Sequence, residues 1–257
     1  MSNGTMIVKR DGTKEHLNID KIHKVVEHAC LDLAGVSSSQ IEMNANIQFY
    51  DGMSTGEIQE VLVRSANDLI SLESPNYQYA AARLLSYSVN KQVFGEYNAI
   101  TFQENIKRNI DRNVYDAAIL EYYTEEELTT LDSYIKHKRD ENFTYAGLRQ
   151  VVDKYLCQDR STGQIFESPQ FMYMMIAATL FNSYPAETRM YYVRRYYDAT
   201  SLFKVNIPTP VMAGVRTPVR QFASCVLVDA ADTLDSIFAS DMAIGRYTAQ
   251  RAGRSEE

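Results

Sequence analysis

Tryptophan is absent from this chain, and cysteine occurs only three times, at Cys30, Cys157 and Cys225. Three thiols so widely spaced exclude a disulfide framework and offer no zinc-ligand interval. The four histidines, His16, His23, His28 and His137, stand at no metal-binding spacing either, so no metal in this chain is expected. Long apolar runs are also missing. The longest, Phe171–Phe181, has 11 residues, well short of the ~20 that a membrane-spanning helix needs. Met1–Gly12 contains no apolar stretch of signal-peptide length. The expectation is a cytoplasmic protein without membrane contact. Positive charge is not in excess: 26 Lys+Arg against 33 Asp+Glu give a net charge of -7, which argues against direct nucleic-acid binding. Neither GxxxxGK[ST] nor GxGxxG occurs, so any nucleotide site must be built in another way.

What remains is the composition of an ordinary globular chain. Its 257 residues are 45% hydrophobic and 23% charged, enough for one large domain or two smaller ones. Residues 1–95 read as a compact unit. Thr5–Lys9 is β-prone, Asp11-Gly12 is a hairpin turn signal, and Glu15–Ile19 is the expected returning strand. Asp20 is expected to cap a helix with apolar positions Ile22, Val25, Val26, Ala29 and Leu33. A short helix over Ser39–Tyr50 follows, closed by Asp51-Gly52. Ser54 and Glu57 form a capping-box pattern, and Pro75 and Gly95 bracket a further helix.

Residues 96–202 are mostly helical in pattern. Thr124 with Glu127 repeats the capping box, Thr144 opens another helix, and residues 155–166 read as a hairpin. An apolar helix from Ser168 to Phe181 and an amphipathic one from Ala186 to Leu202 complete the stretch. Over 203–257 the texture changes. Three of the six prolines fall between Pro208 and Pro218, Phe203–Ile207 and Gln221–Asp229 are β-prone, and Asp232 is placed to cap a last helix to about Gln250. Strand, loop, strand and helix suggest the opening of an α/β sheet or barrel.

Taken one at a time, the residues that carry chemistry have modest explanations. Lys9-Arg10 beside a glycine turn can set two cations against phosphate, but spacing alone favours a solvated hairpin tip. Lys21 and Lys91 join such a site only if the fold brings them there. Thr55 at a helix start is most simply part of a cap. Cys225, in FASCVLV beside Ser224, reads in isolation as a packed thiol. Asp232, Thr233 and Leu234 explain themselves as a helix start. Thr209 lies in a stiff loop after a β-prone segment, a common place for substrate contacts. Tyr173, Tyr191, Tyr192, Tyr196 and Tyr197 read as core and interface residues, and Asp116, Glu121 and Glu125–Glu127 as a solvated acidic face.

In order along the chain, VKRDG at 8–12, QFYDG at 48–52, NIPTPVMAGVRTP at 206–218, FASCVL at 222–227 and QRAG at 250–253 resemble class I ribonucleotide reductase large subunits. The resemblance implies an N-terminal ATP-cone that binds ATP as activator or dATP as inhibitor. Its contacts, carried over by motif, are Lys9, Arg10, Glu15, His16, Leu17, Asn18, Ile19, Asp20, Lys21, Thr55 and Lys91. Some relatives have histidines where this chain has Gln59 and Ser88, which bears on how strongly dATP inhibits. The implied architecture is mainly α with a small β hairpin (ATP-cone plus helical domain), followed by the first strands of a ten-stranded α/β barrel. The implied boundaries are 1–95, 96–202 and 203–257.

By the same resemblance, Thr209, Ser224 and Gly253 line the substrate pocket, and Cys225 is one of two cysteines that reduce the ribose 2′ position. A thiyl radical elsewhere takes the 3′ hydrogen, the 2′ hydroxyl leaves as water, and two thiols deliver electrons while closing to a disulfide. Asp232, Thr233 and Leu234 belong to a dNTP specificity-effector site at a large-subunit dimer interface. Implied partners are a radical-generating small subunit with a diiron centre and thioredoxin or glutaredoxin as reductant. In the family RAG runs on into a glycine-rich loop and the remaining catalytic residues, whereas here it is followed by RSEE. The expectation is an N-terminal piece of a split large subunit, inactive alone and completed by a C-terminal polypeptide. The competing expectations are a stand-alone ATP/dATP-sensing module and a truncated remnant.

Overall fold

The computed structural model describes residues 4–46, 48–96, 98–223 and 225–250. The chain divides into two compact units, one from residues 1–99 and 138–153, the other from 100–137 and 154–257.

The first unit begins with β1 (Met6–Val8) and β2 (Lys14–His16), antiparallel with Ile7 opposite Glu15. Asp11 closes the hairpin: its Oδ1 accepts from Thr13 N at 2.9 Å and Thr13 Oγ1 at 2.6 Å, and Gly12 takes the φ of +82° that the turn needs. Helix α1 (Ile19–Cys30) is capped by Asn18, whose Oδ1 accepts from Lys21 N at 3.0 Å. The sequence places the cap at Asp20; the structure places it two residues earlier, leaving Asp20 in the first turn, where its charge still favours the helix dipole. After α2 (Ser38–Asn46), Asp51 Oδ1 accepts from Met6 N at 2.7 Å and Gly52 N donates to Met6 O at 2.8 Å. These bonds start β3 (Met53–Ser54), parallel to β1 in a sheet of order β2-β1-β3.

Ser54 and Glu57 form the expected capping box at the start of α3 (Thr55–Asn67). Helix α4 (Tyr77–Phe94) runs 18 residues and ends at Gly95 in the left-handed region, φ +80°. Pro75 sits in the turn just before α4 rather than inside its first turn. The core of this unit is built by Val26, Ile41, Leu62, Ala66, Leu84 and Val89.

The second unit carries α5 (Phe102–Asp111), the short α6 (Ile119–Tyr122) and α7 (Glu125–Tyr134). The chain then contributes a 3-10 turn (His137–Asn142), α8 (Tyr145–Gln150), capped by Thr144, and a π-helical turn (Val151–Tyr155). The expected hairpin follows as β4 (Gln158–Asp159) and β5 (Gln164–Ile165). Helix α9 (Pro169–Leu180), capped by Ser168, buries every residue from Pro169 to Ala178. Helix α10 (Ala186–Ser201) packs on α9 through Val193 and Tyr197, and Tyr197 Oη donates to Gln170 Oε1 at 2.6 Å. Arg189 on α10 reaches Glu127 at 2.6 Å, so the capping-box carboxylate of α7 also ties the two helices together.

The segment beyond α10 departs from the sequence reading. Phe203–Ile207 and Gln221–Asp229 form no strand among the described residues. Thr209–Gly214 instead makes helix α11, with Pro208 at its N-cap and Pro210 in the first turn, where a missing N–H costs nothing. A β-prone segment needs a neighbouring strand for its ladder, and the described residues supply none here. Leu227 is accordingly 97% exposed. The last helix, α12 (Leu234–Ala249), is capped by Thr233, whose hydroxyl accepts from Ser236 N at 3.2 Å, and not by Asp232.

A cationic cavity in the first unit

A cavity of about 300 Å³ opens over one face of the three-stranded sheet and three helices of the first unit. Backbone periodicity decides its lining. Ile7 on β1 and Glu15 on β2 are register partners, so their side chains share a sheet face with Lys9 and Leu17, two residues further along. His16, between them, does not line the cavity. Helix α1 contributes Lys21, Ile22 and Val25 after the cap residue Asn18, the i, i+3, i+4, i+7 face. Ile19 and Asp20 are off that face and do not line it. Helix α3 repeats the interval with Thr55, Ile58, Gln59 and Leu62, and α4 adds Tyr87, Ser88 and Lys91.

The charge of this lining opposes that of the chain. Lys9, Arg10, Lys21 and Lys91 meet a single carboxylate, Glu15, in a protein of net charge -7. Glu15 lies 3.6 Å from Lys9 Nζ and 3.4 Å from Lys21 Nζ, holding both cations at the same edge. Lys91 Nζ stands 5.8 Å from the Tyr87 ring centroid. Partial burial pushes the Arg10 guanidinium below its ordinary value, with Tyr87 acting in the opposite direction. Among the described residues Arg10 forms no ion pair. Ile7, Leu17, Ile22, Val25, Ile58 and Leu62 make an apolar floor. Gln59 is buried and its Nε2 donates to Leu84 O at 3.0 Å. A cationic rim over an apolar floor suits an anion that carries a hydrophobic body.

Eight of the eleven residues transferred from the resemblance therefore come together, namely Lys9, Arg10, Glu15, Leu17, Asn18, Lys21, Thr55 and Lys91, and Gln59 and Ser88 stand with them. Of the floor, only Leu17 is among the residues that the resemblance transfers; Ile7, Ile22, Val25, Ile58, Leu62 and Tyr87 are not, although the helical interval from Asn18 and from Thr55 marks Ile22, Val25, Ile58 and Leu62.

The residues transferred for the substrate, catalytic and specificity sites belong to the second unit or fall outside the described residues. Thr209 Oγ1, at the start of α11, lies 3.2 Å from Tyr155 Oη. Cys225 is exposed, against the packed thiol that its isolated sequence context suggests, and no strand forms around it among the described residues. Asp232 is exposed, Thr233 caps α12, and Leu234 is 72% exposed. Ser224 and Gly253 lie outside the described residues. A buried network went unnoticed in the sequence. Arg216 and Glu167 are fully buried and paired, Tyr115 Oη donates to Glu167 at 2.5 Å, and Cys157 N donates to it at 2.7 Å. Burial, reinforced by the Glu167 charge, pushes the Tyr115 phenol well above its ordinary value. Among the described residues no group of three or more His, Cys, Asp or Glu side chains is placed to hold a metal, and no helix is long and apolar enough to cross a membrane.

Two family models match parts of the chain. Residues 5–92 match the ATP cone domain family, and residues 141–220 match the ribonucleotide reductase all-alpha domain. Over 253 residues, 98% of this chain, it is 49% identical to the ribonucleoside-diphosphate reductase subunit alpha of Haemophilus influenzae, covering 34% of that protein. It is 48% identical over the same length to ribonucleoside-diphosphate reductase 1 subunit alpha of Escherichia coli, covering 33% of it. The alpha subunit of Enterobacteria phage T4 is 41% identical over 249 residues, 96% of this chain and 32% of the relative. The chain belongs to the ribonucleotide reductase large-subunit family and corresponds to its N-terminal region. It spans about one third of the length of the curated relatives it matches.

Proposed function

We propose that this chain supplies the effector-binding N-terminal part of a ribonucleoside-diphosphate reductase large subunit, with ATP or dATP held in the cavity of the first unit. The observation that carries the reading is the lining of four cations against one carboxylate above an apolar floor. Lys9, Arg10, Lys21 and Lys91 meet the phosphates through charge-assisted hydrogen bonds, while Asn18 and the floor take the nucleoside. The similarity runs through 253 residues rather than stopping with the cone at residue 92, which supports a reductase part over a free-standing sensor.

In this reading the second unit contributes to ribonucleotide reduction. Cys225 is one of two reducing thiols, Thr209, Ser224 and Gly253 hold substrate, and Asp232, Thr233 and Leu234 serve a dNTP specificity site where two large subunits meet. The residues that the relatives carry in their other two thirds complete the enzyme, on this polypeptide or a companion one. A small subunit supplies the radical, and thioredoxin or glutaredoxin re-reduces the thiols.

The test is to supply those remaining two thirds with a radical-generating subunit and to measure reduction of a ribonucleoside diphosphate. Activity that responds to ATP, and that Cys225→Ser abolishes while ATP binding persists, is the expected result. Activity indifferent to ATP and dATP contradicts the effector assignment, and activity unaffected by Cys225→Ser contradicts the catalytic one.

A further inference from the structure

The second unit holds a cavity that the proposed effector site does not use. Its volume is about 550 Å³, within the range of small-ligand clefts. It opens between the α5–α6 connection, the 154–160 segment and the residues that follow α11. Its floor is apolar: Leu156 is buried, and Val114 and Phe166 are half-buried beside it. Its rim carries the exposed cations Lys154 and Arg160, and no carboxylate lines it. That charge pattern runs against a chain with seven more acidic than basic residues. Among the described residues Lys154 forms no ion pair, so an ammonium stands free at the mouth of an apolar hollow. Asn113, at the same mouth, holds a left-handed backbone with φ +56°, a conformation that asparagine tolerates better than most residues.

We propose that this cavity binds a small organic anion, its phosphate or carboxylate head against Lys154 and Arg160 and its aromatic or apolar body against Phe166. The two parts of the lining divide the work. A cation pair alone holds inorganic phosphate and chloride indifferently, whereas the apolar floor adds affinity only for a ligand with a body to bury.

The experiment uses phenyl phosphate, benzoate and inorganic phosphate as probes, titrated calorimetrically into the chain carrying Lys9→Ala and Lys91→Ala. Those substitutions weaken the effector cavity, so failure of either site is read separately. Phenyl phosphate or benzoate is expected to bind with one-to-one stoichiometry in the millimolar range or tighter, and whichever binds identifies the head group. Inorganic phosphate is expected to bind about tenfold more weakly than phenyl phosphate, for want of a buried body. Lys154→Ala should weaken the aromatic anion about tenfold, and Lys154→Arg should restore it. Lys154 is exposed, so both variants keep the fold, which circular dichroism verifies. No binding of either aromatic anion, binding unchanged by Lys154→Ala, or equal affinity for inorganic phosphate overturns the proposal.

Discussion

Val8 pairs with Ser54 in parallel register, and that one pairing sets Lys9 and Thr55, the next residue of each segment, at the same end of the sheet. The two belong to motifs more than forty residues apart in sequence, VKRDG at 8–12 and the stretch that follows QFYDG. The Asp51-Gly52 turn makes the pairing possible by bonding to Met6 on both sides of its backbone. A cation and a helix start are thereby delivered to the cavity by strand pairing and by one side-chain and one backbone bond to Met6.

The Arg216–Glu167 pair predicts a large stability difference. Both side chains are fully buried, and Arg216 Nε donates to Glu167 at 2.9 and 3.1 Å. Glu167→Ala leaves a buried guanidinium uncompensated and should cost about 3–5 kcal/mol in urea unfolding. Replacing both residues by Met should cost less than Glu167→Ala alone. The exposed pair Lys107–Glu125 is the control: Glu125→Ala should cost under about 1 kcal/mol. Equal costs for Glu167→Ala and Glu125→Ala would contradict the burial argument.

Much of this was legible in the sequence because local chemistry decided it. The capping boxes at Ser54/Glu57 and Thr124/Glu127, the Gly95 stop and the hairpin over 155–166 all formed as their residues dictate. The α1 and α12 caps moved by one or two residues because Asn18 and Thr233 compete with the neighbouring aspartates for the same role. The strands expected at 203–207 and 221–229 do not form among the described residues, since β-propensity expresses itself only against a partner strand. The Tyr115–Glu167–Arg216 network left no local signal: its members are separated by about fifty residues each and meet only through packing.

The pairing of His23 with Glu42 gives a pH dependence of known sign. His23 Nδ1 lies 2.8 Å from Glu42 Oε1, tying α1 to α2. The hydrogen bond to Glu42, then its charge, raises the imidazole above its ordinary value. A raised folded value means that the contribution is fully present below the unfolded value of about 6.5 and is lost as pH rises through the folded value. His23→Ala should therefore lower the melting temperature more at about pH 5.5 than at about pH 8.5. The same decrement at both pH values would rule the pairing out as a source of stability.

Thiol accessibility separates the three cysteines. Cys225 is exposed, Cys30 is intermediate, and Cys157 is buried. Burial also pushes the Cys30 thiol up to about 11, which suppresses its reactive thiolate. Alkylation of the native chain by iodoacetamide, mapped by peptide mass, should modify Cys225 first and Cys157 only on unfolding. Early modification of Cys157 would show that the loop around Tyr155 opens in the native state.

Calorimetric titration of ATP and dATP tests most directly whether the cavity of the first unit binds an adenine nucleotide through its cations. One nucleotide per chain should bind, with affinity that falls as salt is raised. Lys9→Ala and Lys91→Ala should each weaken it by about tenfold or more, the worth of one charge-assisted hydrogen bond. Binding that is absent, or that both substitutions leave unchanged, would contradict the account.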